Sequence, residues 1–196
     1  MIFVLNALFV SKVRIKLLKV FLANPGKSFY VRELVRATKE EINAVRRELS
    51  RMQKNGIVSS EWRGNRRYYN FREDHLFYPE LSRMVSKTSG LGGALIKNRA
   101  KLGKIKYAML TGDFVKGKRP GAKEVVLLIV GKVVLPQLTS LVKTEEARRG
   151  FEINYTVMGE EEFEFRKRRR DPFVLEILSK SRAMLVGDED EMLKVE

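Results

Sequence analysis

The sequence predicts an α+β chain of two small domains, and three observations carry the prediction. Residues 12–54 hold three apolar sets at helical spacing, each closed by turn residues. Residues 57–71 then read as two short extended runs around Gly64-Asn65, and from residue 104 onward apolar strand-like runs alternate with helical ones. A chain of 196 residues that is 44% hydrophobic is long enough to bury two small cores. The expected boundary lies where glycines cluster in KTSGLGGAL, residues 87–95, giving domains 1–88 and 89–196.

The opening MIFVLNALFV is apolar, but no basic run precedes it and Lys12, Arg14 and Lys16 follow it, so it reads as a buried or oligomerising lead-in rather than a signal peptide. No stretch approaches the ~20 apolar residues that a membrane helix needs. From Lys12 to Ala23, Val13, Leu17, Val20 and Phe21 recur at helical spacing, and Asn24-Pro25-Gly26 ends the run. After an extended Phe29-Tyr30-Val31, the segment RELVRAT forms a second short helix with Leu34 and Val35 inward and a turn at Thr38-Lys39. A third helix begins near Glu40. Its Ile42, Val45, Leu49 and Met52 share one face, which turns Asn43, Arg47, Ser50, Arg51 and Lys54 outward and leaves Arg46 at the flank. Asn55-Gly56 stops it. The runs IVSSEWR and RRYYNF then pair about Gly64-Asn65, whose residues suit a tight turn with positive φ at both positions. Arg63, Arg66 and Arg67 sit at the tip.

Three helices followed by a basic-tipped hairpin is the winged helix-turn-helix order, with the third helix suited to the major groove of double-stranded DNA. Asn43 and Arg47 lie where base edges would be, since these types pair with adenine and guanine; Arg46 is placed for phosphate. Ser50, Arg51, Lys54, Arg63, Asn65, Arg66 and Arg67 complete the expected DNA-binding set. Glu40 and Glu41 stand where a serine or threonine cap is usual and set negative charge near the phosphates. Trp62, Tyr68 and Tyr69 could stack on bases, but aromatics of a hairpin that packs on a helix are read first as core, and His75 as structural.

Composition points to the same class of partner. The net charge is +15 and the pI near 10.1, which favours polyanions. Residues 1–88 hold 18 Lys+Arg against 8 Asp+Glu, whereas the remainder holds 21 against 16, so the excess lies in the first half. With no cysteine and one histidine, disulfides, thiol chemistry, multi-histidine zinc sites and Ser-His-Asp catalysis are excluded, and a cytoplasmic setting is expected.

In the second half, KIKYAMLT (104–111) is a strand and Gly112 to Gly117 a turn into a loop; EVVLLIVG (124–131) is a buried strand. A helix follows over 136–148, a strand over 152–158, a helix from Glu160 through the basic run 166–170, a short helix from Asp171-Pro172, and a closing strand at 182–186. Together these form a small α/β domain with a mixed sheet. Asp188-Glu189-Asp190 reads as a solvated acidic tail. Lys116, Lys118, Arg119 and Lys123 form a basic loop, and RKRRR (166–170) a basic helix end; either would serve as a sequence-independent phosphate contact or as solvated surface.

The runs SKVRIKLLKVFLANPGKSFYVREL, INAVRREL and GNRRYYNF, with LLIVG, INYTV, DPF and VGDEDE further on, resemble the bacterial and archaeal proteins that join a winged helix-turn-helix to a minimal nucleotidyltransferase domain of the DNA polymerase beta superfamily. The likeness covers nearly the whole chain and rests on the combination, since each fragment alone is weak. Active members use a Gly-Ser pair for the nucleotide triphosphate and an Asp-x-Asp pair for two magnesium ions. The resemblance puts Gly112 at the glycine, Asp113 at the serine, and Glu124 and Val126 at the two aspartates. It therefore implies a degenerate nucleotide site without metal or cofactor, because valine donates no oxygen and Asp113 opposes a triphosphate. The expected function is a DNA-binding transcriptional regulator, a homodimer, whose second domain serves as scaffold, dimerisation module or nucleotide or protein sensor. The alternatives are a divergent metal-dependent nucleotidyltransferase using Glu124 and Asp113, and an antitoxin-type modifier of a protein or RNA partner.

Overall fold

Ser11 opens the first described helix, α1 (Lys12–Leu22), by accepting the Arg14 N–H at 3.1 Å, the role that short polar side chains fill at an N-cap. The computed structural model describes residues 10–194; the lead-in expected for the opening run therefore lies, over residues 1–9, outside the described residues. The helix buries Ile15, Leu17, Leu18, Phe21 and Leu22, a wider stripe than the expected face, with Val13 and Val20 only partly covered. Phe29–Tyr30 forms β1, and α2 (Val31–Thr38) follows at once, so Val31 is helical rather than extended. The turn after it is made by Lys39 at φ 54, while the buried Thr38 hydroxyl donates to the Leu34 carbonyl at 2.7 Å.

The third helix, α3 (Ile42–Lys54), buries Val45, Leu49 and Met52 as its periodicity predicts. Strands β2 (Val58–Arg63) and β3 (Arg66–Phe71) form the hairpin, and β1 adds to its far side in the order β1-β3-β2, all antiparallel. At the hairpin turn only Gly64 has positive φ, 59°; Asn65 does not. The expectation of positive φ at both residues is corrected: this is the pattern of a II′ turn, which needs glycine at its first central position alone.

The chain divides into two compact units, one running to Val85 and including Lys116–Lys118, the other comprising Ser86–Val115 and the residues from Arg119 onward. The division falls within α4 (Tyr78–Thr88). The glycine cluster beside it, where the sequence sets the boundary, is helical: α5 (Gly90–Lys97), followed by α6 (Arg99–Leu102). The reason is packing. A side chain on Gly92 would collide with the Ser86 carbonyl and crowd Leu110 and Leu185, so a residue type that usually signals a linker here permits close approach.

The second unit is built on a mixed four-stranded sheet in the order β6-β5-β4-β7, from β4 (Gly103–Thr111), β5 (Val125–Val133), β6 (Asn154–Met158) and β7 (Arg182–Val186). The β5 and β6 strands are parallel, joined through α8 (Leu135–Arg149); the other pairings are antiparallel. Helices cover both faces. Leu91 and Leu95 of α5 and Leu138 and Val142 of α8 pack with Ala108, Leu110, Leu127 and Ile129 on one side. On the other, Phe163 of α9 (Glu160–Arg168) and Val174 and Ile177 of α10 (Pro172–Ser179) pack with Tyr107, Met109, Leu128 and Val130. The turn read from Gly112 into a loop takes the form of one helical turn, α7 (Gly112–Val115). Two expectations, on the arginine run and the acidic tail, are corrected here. The arginine run leaves the helix at Arg168, with Arg170 at φ 53. The acidic tail is a folded element: Asp188 caps α11 (Glu189–Leu193), and Met192 is fully buried.

Candidate nucleic-acid interface

The exposed face of α3 is cationic because the helix disposes of its acids elsewhere. Asn43, Arg46, Arg47, Ser50, Arg51 and Lys54 are all exposed. Glu41, expected to burden this surface, is the N-cap: its two carboxylate oxygens accept the N–H groups of Asn43 and Ala44, each at 2.9 Å. Those hydrogen bonds hold the Glu41 carboxyl below the usual carboxylate range, and the negative charge sits where the helix dipole favours it. Glu40 is paired with Lys16.

Glu48, two turns further on, is buried at 3% exposure. Its carboxylate accepts the Ser11 hydroxyl at 2.9 Å and the Arg14 Nε–H at 2.5 Å. The sequence signal for it was its place on the same helical face as Val45, Leu49 and Met52, but partners more than thirty residues away do not show in the local pattern.

A groove of about 630 Å³ lies between α3 and the hairpin, lined by Arg46, Ser50, Trp62, Asn65, Arg66 and Arg67 together with Tyr30, Val31, Arg32, Ile42 and Tyr69. No lining residue is acidic. The structure thus brings five of the ten expected DNA-binding residues, Arg46, Ser50, Asn65, Arg66 and Arg67, into one concavity. Asn43, Arg47, Arg51, Lys54 and Arg63 do not line it.

The three tip arginines are not equivalent. Arg66 is exposed, its guanidinium 5.1 Å from the Tyr30 ring centre. Arg63 lies 4.9 Å from the Tyr68 ring and is paired with Glu61, so part of its charge is already answered. Arg67 is half-buried: its Nε–H donates to Ser60 Oγ and its terminal N–H to Gln53 Oε1, both at 3.0 Å. Arg67 thus lines the groove while tying the hairpin to the end of α3.

The aromatics divide as well. Tyr69 is buried and Tyr68 partly so, but Trp62 is 69% exposed, and its reading as core is corrected. On β2 it follows Val58 and Ser60 on the core-directed side, by period-two alternation, but it lies beyond the point where the core ends. His75 is half-buried, its Nδ1 accepting the Phe77 N–H at 3.2 Å and its ring 6.4 Å from that of Phe71.

In the second unit, the positions that the resemblance assigns to nucleotide and metal do not fit either. Glu124 Oε1 accepts the Asp113 N–H at 3.1 Å and Oε2 the Gly121 N–H at 3.0 Å. Its carboxylate also lies over Gly112, φ 64, so closely that any Cβ there would overlap it. Val126 is fully buried in the core. A pair of magnesium ions would have to displace Glu124 from two backbone donors and would find no oxygen on Val126. Among the described residues, no three His, Asp or Glu side chains are grouped to hold a metal.

The basic segments are partly committed. Lys118 lies 2.9 Å from Glu73 in the first unit; Arg119 stacks 5.5 Å from the Phe151 ring, and Lys123 is exposed. In the 166–170 run, Arg166 pairs with Glu162 at 2.8 Å. Lys167, expected at the surface, is buried, with its Nζ 2.8 Å from Glu164 and donating to the Met192 carbonyl at 3.0 Å. Arg168, Arg169 and Arg170 remain exposed. Among the described residues, no helix is long and apolar enough to cross a membrane. No family model, curated protein or solved structure matches this chain.

Proposed function

We propose that this chain binds double-stranded DNA through α3 and the hairpin of its first unit, as a cytoplasmic transcriptional regulator of winged helix-turn-helix type. The observation that carries the proposal is the outward face of α3, with six exposed polar or basic residues, and the acid-free groove beside it, while Glu40 is ion-paired, Glu41 caps the helix and Glu48 lies in the core. A basic protein whose acids were merely scattered would not sort them this way. On DNA, Asn43 and Arg47 meet base edges and Arg46 and Arg66 meet phosphate. Pairing of two copies would set two α3 helices on half-sites about one helical turn apart.

The second unit is proposed as a non-catalytic relative of the minimal nucleotidyltransferases, serving as scaffold, dimerisation module or sensor of a nucleotide or protein. The commitment of Glu124 to the Asp113 and Gly121 N–H groups weighs against the enzyme and antitoxin-type modifier readings, because the carboxylate such chemistry needs is consumed as a structural acceptor. Titration against random-sequence duplex over a salt series tests the proposal. Binding that weakens linearly in log Kd against log salt is expected; absence of binding at low salt would remove its basis.

A further inference from the structure

Trp62 is the single tryptophan of the chain and 69% of it faces solvent. Exposure alone would say little, since Leu76, Phe77 and Phe165 are also open, but Trp62 lines a groove that carries Arg46, Arg66 and Arg67. It is also held in place. Across the hairpin its register partner is Arg67, whose guanidinium lies over the indole 5.9 Å from the ring and is itself fixed by Ser60 and Gln53. The ring is thus backed by a cation and lines a groove whose other side carries Arg46 and Ser50 of α3 and whose rim carries Arg32, Asn65 and Arg66. The groove is charge-complementary to a polyanion, and within it one flat apolar face is offered.

The occupant that combines anionic backbone with a flat aromatic face is a nucleic acid whose base is out of the stack. In an uninterrupted duplex every base hides both faces against its neighbours, so an indole at the protein surface has nothing to stack on. A bulged base presents a free face beside intact phosphates.

We infer that Trp62 is a stacking subsite for a displaced base, so that this groove prefers duplex DNA carrying an unpaired nucleotide over uninterrupted duplex. The inference rests on the DNA-binding reading and goes beyond it: α3 and the arginines supply the duplex contact, Trp62 the preference for a disrupted step.

The test uses the intact protein with three DNAs of shared sequence: a perfect duplex, the same duplex with a one-nucleotide bulge, and the single strand. As no other tryptophan is present, intrinsic emission reports on the subsite directly. The bulged duplex is expected to bind roughly ten times tighter than the perfect one, the order of one base stacked on an aromatic ring, and to quench the emission, whereas the perfect duplex binds with little quenching. Trp62→Ala, at a position outside the core, is expected to bring the bulged duplex down to the affinity of the perfect one for the same variant; Trp62→Phe retains part of the preference. Equal affinity for the two duplexes, equal quenching by both, or tighter binding of the single strand than of the bulged duplex would overturn the subsite while leaving DNA binding in place. Failure of every DNA to bind at low salt would overturn both.

Discussion

Glu48 of α3 and Arg14 of α1 meet at 2.5 Å, with only 4% of the glutamate side chain exposed. The Ser11 hydroxyl joins them, so the cap of one helix and the buried acid of another form one hydrogen-bonded unit. Removing the carboxylate leaves those two donors without their acceptor. Glu48→Ala is expected to destabilise the first unit by about 1–3 kcal/mol, and Glu48→Gln by less, as read from denaturant midpoints. Unchanged stability in the alanine variant would show that water replaces the carboxylate at no cost.

Gly112 and Glu124 are expected to be coupled. Gly112→Ala places a Cβ on the Glu124 carboxylate at a backbone angle that disfavours side chains, and should lower stability by roughly 1–3 kcal/mol. Glu124→Ala should cost about 1 kcal/mol through the two orphaned N–H groups. The double variant should lose less than the two single losses combined, because the collision is gone. Strict additivity would mean that the carboxylate does not rest over Gly112 in solution.

Gly92 and Gly159 should respond in opposite directions. Gly92→Ala drives a methyl into the Ser86 carbonyl and the Leu110 side chain and is expected to destabilise by more than about 1 kcal/mol. Gly159 is the N-cap of α9 in extended backbone, with open space where a side chain would stand. Gly159→Ser adds a capping hydroxyl and should stabilise by a few tenths of a kcal/mol. Thermal unfolding of the two variants checks the pair.

Glu145 gives the second unit an acid-sensitive contact. Burial works to raise its pKa, but the hydrogen bonds from Arg148 and Arg149 outweigh burial and hold the carboxyl below its ordinary range. A carboxyl whose folded pKa is depressed contributes stability that is complete above the unfolded pKa, about 4.3 for a glutamate, and is lost as pH falls through the folded value. Stability of the parent should therefore decline below about pH 5 more steeply than that of Glu145→Gln. Parallel acid limbs would rule out this contribution.

Much of the first unit was legible because its punctuation is local. Asn24-Pro25-Gly26, Asn55-Gly56 and Gly64-Asn65 end their elements where the rules for turns place them, and the period of Val45, Leu49 and Met52 sets the outward face of α3. What the sequence hid was decided by partners remote along the chain. Glu48 shares the face of Val45, Leu49 and Met52, but the Ser11 and Arg14 that satisfy it lie more than thirty residues away, and the ties of Arg67 to Gln53 and Ser60 do not show in the hairpin pattern. Trp62 follows the core side of its strand, which makes it read as core, yet the core stops one residue pair short of it. Gly92 imitates a linker because close packing and chain flexibility call for the same residue.

The central claim is that the α3 surface and the acid-free groove bind duplex DNA. Its most direct test is the affinity of the intact protein and of an Asn43→Ala, Arg46→Ala, Arg47→Ala, Arg66→Ala variant for random duplex across a salt series. Arg67 is left in place because it supports the hairpin. The account predicts tight, salt-sensitive binding by the parent, and in a folded variant a large loss of affinity with a salt slope smaller by roughly 2, one for each phosphate-contacting arginine removed, Arg46 and Arg66. A variant that binds as tightly as the parent, with the same slope, would contradict the account and move the polyanion site to Arg168–Arg170 or Lys123 of the second unit.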